Sequence, residues 1–115
     1  MKRFLSFFVV CLLGLAACAK PLPEDRKDYV GIWTGIRDAE QMSLAIDAGG
    51  MVSYKREKPG MSKSVNAPIK AFEGDDFVVG IGPMTTRFKV TQRPKQVDGA
   101  WTMVVDGVEL RRQEQ

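Results

Sequence analysis

The chain of 115 residues contains no histidine and only two cysteines. Without an imidazole it lacks the usual general base near neutral pH, the commonest metal ligand, and the Ser-His-Asp and Cys-His arrangements. Gly80, Gly82 and Pro83 stand together, but no helix follows them to supply the N-terminal dipole of a phosphate-binding loop. Asp75 and Asp76 are adjacent on extended chain, so their side chains point apart and suit a turn better than a shared carboxylate site. Helical periodicity is also missing: residues 38–41 allow one turn at most. These absences lead us to expect a non-enzyme with no metal or cofactor site.

One apolar run is present, at the start. Met1-Lys2-Arg3 precedes residues 4–17, which are interrupted only by Ser6 and Gly14. A bilayer-spanning helix needs about 20 apolar residues, and Lys20, Pro21 and Pro23 follow at once, so the run reads as an export signal. It ends in Leu15-Ala16-Ala17-Cys18, which resembles the lipobox of bacterial lipoproteins. That resemblance implies that the Cys18 thiol receives a diacylglycerol, that a peptidase cuts before it, and that the new amine is acylated. An ordinary secretory signal with a chance cysteine is the alternative. Cys11 would leave with the signal and Cys18 would carry lipid, so no thiol remains for a disulfide. More than one acyl chain is what stable anchoring requires. Ala19, where an aspartate would favour inner-membrane retention, implies the periplasmic face of the outer membrane in a two-membrane bacterium.

The mature chain from Cys18 has 98 residues, enough for one domain. Loss of Lys2 and Arg3 lowers the formal charge from +3 to +1, too little to point to nucleic acid. Three segments are expected: a signal at 1–17, the lipidated cysteine with a flexible tether at 18–28, and a β-domain at 29–115. The tether, with Pro21, Pro23 and a cluster of charges, reaches only about 35 Å when extended.

From Tyr29 on, the pattern is β. Residues 30–37 are rich in β-branched and aromatic side chains, and Met42, Leu44 and Ile46 alternate with polar or small neighbours. A three-residue loop, Ala48-Gly49-Gly50, would pair Ile46 with Val52 and Leu44 with Tyr54. Residues 56–64 read as a loop broken by Pro59-Gly60, and 65–72 as a weaker strand whose Pro68 suits an edge, a bulge or a strand start. Phe77, Val79 and Ile81 mark a buried strand. Residues 85–92 form another, with Phe88 and Val90 on one face, and 93–99 is turn-rich. Asp106-Gly107 fits a two-residue hairpin pairing Val105 with Val108, Met103 with Leu110 and Trp101 with Arg112, where a cation can stack on the ring. The expected fold is all-β, a small antiparallel up-and-down meander of about eight strands closing into a barrel.

Gly31-Ile32-Trp33 on the first strand, with a basic residue on the last, resembles the calycin signature of lipocalin-like barrels. The resemblance implies that Trp33 packs beneath an arginine of the final strand, Arg112 by facing parity and Arg111 otherwise. Trp33 and Trp101 are equally explained as core residues.

The most distinctive exposed stretch carries Lys55, Arg56, Lys58, Met61 and Lys63. Its cations suit anionic lipid headgroups or lipopolysaccharide phosphates and Met61 offers an apolar tip, while a solvated hairpin loop is the simpler account of the same charges. The expected role is a membrane-anchored envelope module with a protein partner. A small carrier of an apolar ligand and an inhibitor or immunity protein are the alternatives. Replacing Cys18→Ser is expected to release the domain or leave it unprocessed, read by membrane fractionation and intact mass; unchanged processing and fractionation would overturn the anchor.

Overall fold

A computed structural model describes residues 20–114. The expected signal at 1–17 and the expected lipidation at Cys18 fall outside the described residues. Nine strands form one antiparallel sheet: β1 (Gly31–Arg37), β2 (Glu40–Ile46), β3 (Met51–Lys58), β4 (Met61–Glu73), β5 (Asp76–Ile81), β6 (Met84–Phe88), β7 (Val90–Val97), β8 (Ala100–Val105) and β9 (Val108–Arg112). Their spatial order is β6-β5-β4-β3-β2-β1-β9-β8-β7. Every neighbour is therefore a neighbour in sequence except β1 and β9. The expected all-β meander is present, but the sheet curls through 230° into an open half-barrel rather than a closed one.

The hairpin registers follow from alternation. Ile46 pairs with Val52 and Leu44 with Tyr54; Val105 pairs with Val108 and Met103 with Leu110. All eight of these side chains are buried. Asp106 and Gly107 both take positive φ, as a two-residue hairpin of this hand requires. Asp38 and Ala39 do the same without a glycine (φ 51° and 65°), so residues 38–41 hold a hairpin turn and the start of β2 rather than a helical turn.

Two stretches differ from their sequence reading. Residues 56–64 are not a loop, because β3 and β4 continue to a two-residue turn with Lys58 opposite Met61. Proline fixes φ at the first central position and Gly60 supplies φ 77° at the second, the requirement of a type II turn. The long β4 is also a corner. Its first part pairs with β3 as far as Pro68, and from Ile69 it pairs with β5, with an irregularity between Ile69 and Ala71. Pro68 thus sits where β4 changes partners, a position that tolerates its missing N–H.

Residues 85–92 are likewise two strands, and this raises the count to nine. The chain changes partner at Lys89 without reversing: β6 pairs with β5, and β7 pairs with β8. Two carboxylates fix this corner. Asp106 Oδ1 accepts the Lys89 N–H at 2.9 Å, and Asp76 Oδ1 accepts the Val90 N–H at 2.8 Å. Asp76 Oδ2 meets Arg87 Nη2 at 2.9 Å, and Arg87 also contacts Glu73. The turn-rich reading of 93–99 holds only for Asp98-Gly99, since β7 runs on to Val97.

The concave side is filled. Trp33, Phe77, Phe88, Met42, Leu44, Met103 and Leu110 are fully buried. Phe77 stacks on Phe88 at 5.0 Å, and Tyr54 meets Phe88 edge-on at 4.9 Å.

The Val90 N–H, accepted at the corner, holds the Asp76 carboxyl below the usual carboxylate range, with help from Arg87. A folded-state value lowered in this way stabilises the fold above the unfolded carboxylate value of about 3.9, and that contribution is lost as pH falls through the folded value. Asp76→Ala is expected to cost about 1–3 kcal/mol at neutral pH and to flatten the acid limb of the stability curve. Denaturant melts from pH 7 to 2 check this, and Asp76→Asn, which keeps the acceptor but not the charge, is expected to fall between.

Candidate functional site

Residues expected to form a flexible tether are docked on the domain. Leu22 is buried, and its N–H donates to the Ala48 carbonyl at 3.4 Å. A Cβ on Gly50 would collide with the Lys20 carbonyl oxygen, so the bare glycine lets this segment lie against the β2–β3 turn. Glu24–Tyr29 then form a short 3-10 helix. Its charges reach across the molecule: Arg26 Nη2 donates to the Gly74 carbonyl at 2.9 Å, and Arg93 Nη2 donates to the Asp25 carbonyl. Composition pointed to a solvated linker, but two large apolar groups, Leu22 and Tyr29, have found the core.

Tyr29 is fully buried, and its hydroxyl donates to the Asp75 carbonyl at 2.8 Å. Burial pushes its phenol up to about 12. The Tyr29 ring meets Phe72 and Phe77 edge-on, with Arg93 over its face at 5.6 Å. Asp75 and Asp76 are thus separate in role: one braces Tyr29, the other the corner.

Gly31, Trp33, Trp101 and Arg112 do come together. Trp33 Nε1 donates to the Tyr29 carbonyl at 2.9 Å, which satisfies the only polar atom of the buried indole. Arg112 lies opposite Trp33 in the β1–β9 ladder. Its guanidinium sits 5.6 Å from the Trp33 ring centre and 4.6 Å from that of Trp101. The cation over Trp33 is therefore Arg112 and not Arg111. Gly31 lies under the Arg112 side chain, where a Cβ would overlap its methylenes. Beside this cluster is a half-open cleft of about 910 Å³ lined by Val30, Asp98, Trp101, Arg111 and Gln113 among others. Every group in the cluster is engaged in packing, so it reads as a structural clasp.

The exposed cations lie on the arm formed by the ends of β3 and β4. Alternation puts Arg56 and Lys58 on the concave side with Val52 and Tyr54, together with Met61 and Lys63 from β4. Lys55 points the other way. Arg56 is held by Glu40 at 2.7 Å and Lys55 meets Glu57 at 3.4 Å. Among the described residues no carboxylate pairs with Lys58 or Lys63. Between Met61 and Asn66, β4 pairs with β3 on one side and no strand lies on the other, because pairing with β5 begins only at Ile69. The arm therefore carries a free strand edge, a feature hidden when the stretch is read as a loop.

No group of acidic or cysteine side chains among the described residues is placed to hold a metal ion. Arg112→Ala is expected to destabilise the fold by about 1–2 kcal/mol, the scale of a partly desolvated cation–π contact, and to change tryptophan emission, since both tryptophans flank this side chain. Arg112→Lys should retain part of both. Set against protein-family profiles, characterised proteins and solved structures, the chain matches none.

Proposed function

We propose that this protein is a membrane-anchored bacterial envelope lipoprotein whose domain is a non-catalytic binding module, presenting the β3–β4 arm to a protein partner. The observation that carries the reading is the free edge of β4 beside the cations Arg56, Lys58 and Lys63. An unpaired strand edge accepts an extended segment through main-chain hydrogen bonds, and flanking charge selects among segments. An acidic extended segment is the complement.

The placement of the arm suits this role. The N-terminal segment meets the domain beside Gly50, at the start of β3. The seven steps from Met51 to Lys58 then carry the arm about 24 Å away at roughly 3.4 Å per residue. With lipid on Cys18, two residues before Lys20, the domain would stand on the bilayer with its arm directed away from it. Headgroup contact by the arm, weighed from the sequence, is the weaker use of these cations in that pose. The lipoprotein resemblance, with Ala19 where an aspartate would favour inner-membrane retention, supports an anchor on the periplasmic face of the outer membrane in a two-membrane bacterium. The alternative of a lipocalin-like carrier has less support, since Trp33, Phe77, Phe88 and Met103 fill the concave side. An inhibitor or immunity role would use the same edge.

The test is photo-cross-linking in cells from a probe at position 61. Lys58→Glu with Lys63→Glu is expected to abolish or strongly reduce the cross-linked protein, and Lys55→Glu, on the opposite face, to leave it. A cross-link indifferent to the double reversal, or equally sensitive to Lys55→Glu, would overturn the assignment.

A further inference from the structure

A second surface lies at the β5–β6 turn. Two large apolar side chains, Ile81 and Met84, flank the β5–β6 turn and are 69% and 78% exposed. Gly82-Pro83 make this a tight turn, with Gly82 at φ 59°. Ile81 belongs to the alternation that buries Phe77 and Val79, so sequence pattern alone would send it inward. It emerges instead, because β5 pairs with β4 only as far as Val79, and Ile81 is opposite Met84 of the edge strand β6 alone. The turn is braced from below, where Lys70 Nζ donates to the Gly82 carbonyl at 2.7 Å.

That brace connects the turn to the start of the described chain. Lys70 lines a groove with Lys20, Pro21, Leu22 and Pro23. Lys20 lies against Gly50, and the next residue, Met51, is 41% exposed on the outer face. A continuous rim therefore runs from Met51 through Lys20 and Lys70 to Ile81 and Met84. The carboxylates nearest it in sequence have partners of their own: Glu73 contacts Arg87, Glu24 meets Lys27 at 3.1 Å, and Asp47 Oδ1 accepts the Met51 N–H at 2.9 Å.

We propose that this rim is the membrane-contacting surface, with Ile81 and Met84 inserted at the headgroup level and Lys20 and Lys70 facing anionic lipid phosphates. The inference rests on the lipid-anchor reading of Cys18. Lys20 is two steps along the chain from Cys18, a reach of about 7 Å at most, and Leu22 is pinned. The anchor thus leaves the domain no freedom to hold Lys20 far from the bilayer, so exposed groups beside it must meet lipid. Apolar side chains ringed by lysines are the composition of an interfacial contact. Equally exposed apolar groups elsewhere, Ile36 at 70% near the end of β1 and Met61 at 62% at the arm end of β4, are outside the groove that holds Lys20 and serve as internal controls.

The experiment uses the full chain processed in cells and reconstituted in vesicles of phosphatidylethanolamine and phosphatidylglycerol. A lipidated Cys18 leaves no free thiol, so single cysteines in the variants Ile81→Cys, Met84→Cys, Ile36→Cys and Met61→Cys take an environment-sensitive dye. Labels at 81 and 84 are expected to emit to the blue and to be quenched by nitroxide lipid several-fold more than labels at 36 and 61. Labels at 81 and 84 as wet as those at 36 and 61, on protein that floats with the vesicles, would overturn the rim and leave the anchor standing. Shielding at 81 and 84 without lipid quenching would assign the patch to protein contact and overturn the rim in the same way. Protein whose intact mass lacks lipid and which does not float would overturn both.

Discussion

The buried indole of Trp33 is the contact on which the remaining architecture depends. Its N–H is satisfied by the carbonyl of Tyr29, its ring is covered by Arg112, and its strand forms with β9 the one pairing among the described strands that joins elements distant in sequence. One side chain thereby binds three parts of the molecule: the N-terminal segment, the first strand and the last. A buried indole N–H left without an acceptor would cost the desolvation of that group. The Tyr29 carbonyl must therefore stay where it is, and the docked segment before it is fixed along with it. The domain begins, in mechanical terms, at Leu22.

Closure is achieved at the opposite side by different means. The edges β6 and β7 are joined through Lys89, and the sheet never zips shut along them. Single carboxylates, Asp76 and Asp106, accept the N–H groups of Val90 and Lys89 at the corner. The short helix closes the side where Arg26 reaches Gly74 and Arg93 reaches Asp25. An open half-barrel stays stable because aromatic rings occupy what would be its lumen.

Alternation and turn chemistry made the hairpins legible in the sequence. Wherever a turn supplied the backbone angles, as at Asp106-Gly107 or Ala48-Gly49-Gly50, parity alone set the correct partners. Partner exchange was not legible. The inward parity of Phe88 and Val90 is the same whether the chain forms one strand or turns a corner between them, so nothing in the pattern marks Lys89. The charged arm was obscured for another reason: past the core, strands need not alternate in polarity, and Pro59-Gly60 marks the turn but not how far the strands approach it. Leu22 and Tyr29 were the available signal for docking of the N-terminal segment, since a linker kept extended by charge has no use for two large apolar groups. The clasp of Arg112 over Trp33 was legible from parity, whereas its reach to Tyr29 depends on a backbone carbonyl that no residue identity encodes.

The long sequence separation between β1 and β9 has a consequence for the order of assembly. Each hairpin from β1 to β6 joins neighbours in the chain and closes at a small loop cost, but the ladder between Trp33 and Arg112 spans nearly the whole domain. During synthesis the first six strands can pair while the last has yet to appear. Until then the indole has no lid and the β1 edge is unpaired. The completing event is therefore a non-local one, which carries the largest loop-closure cost of the ladders described. A chain cut short before Arg112 would present an open β1 edge to whatever strand it met first.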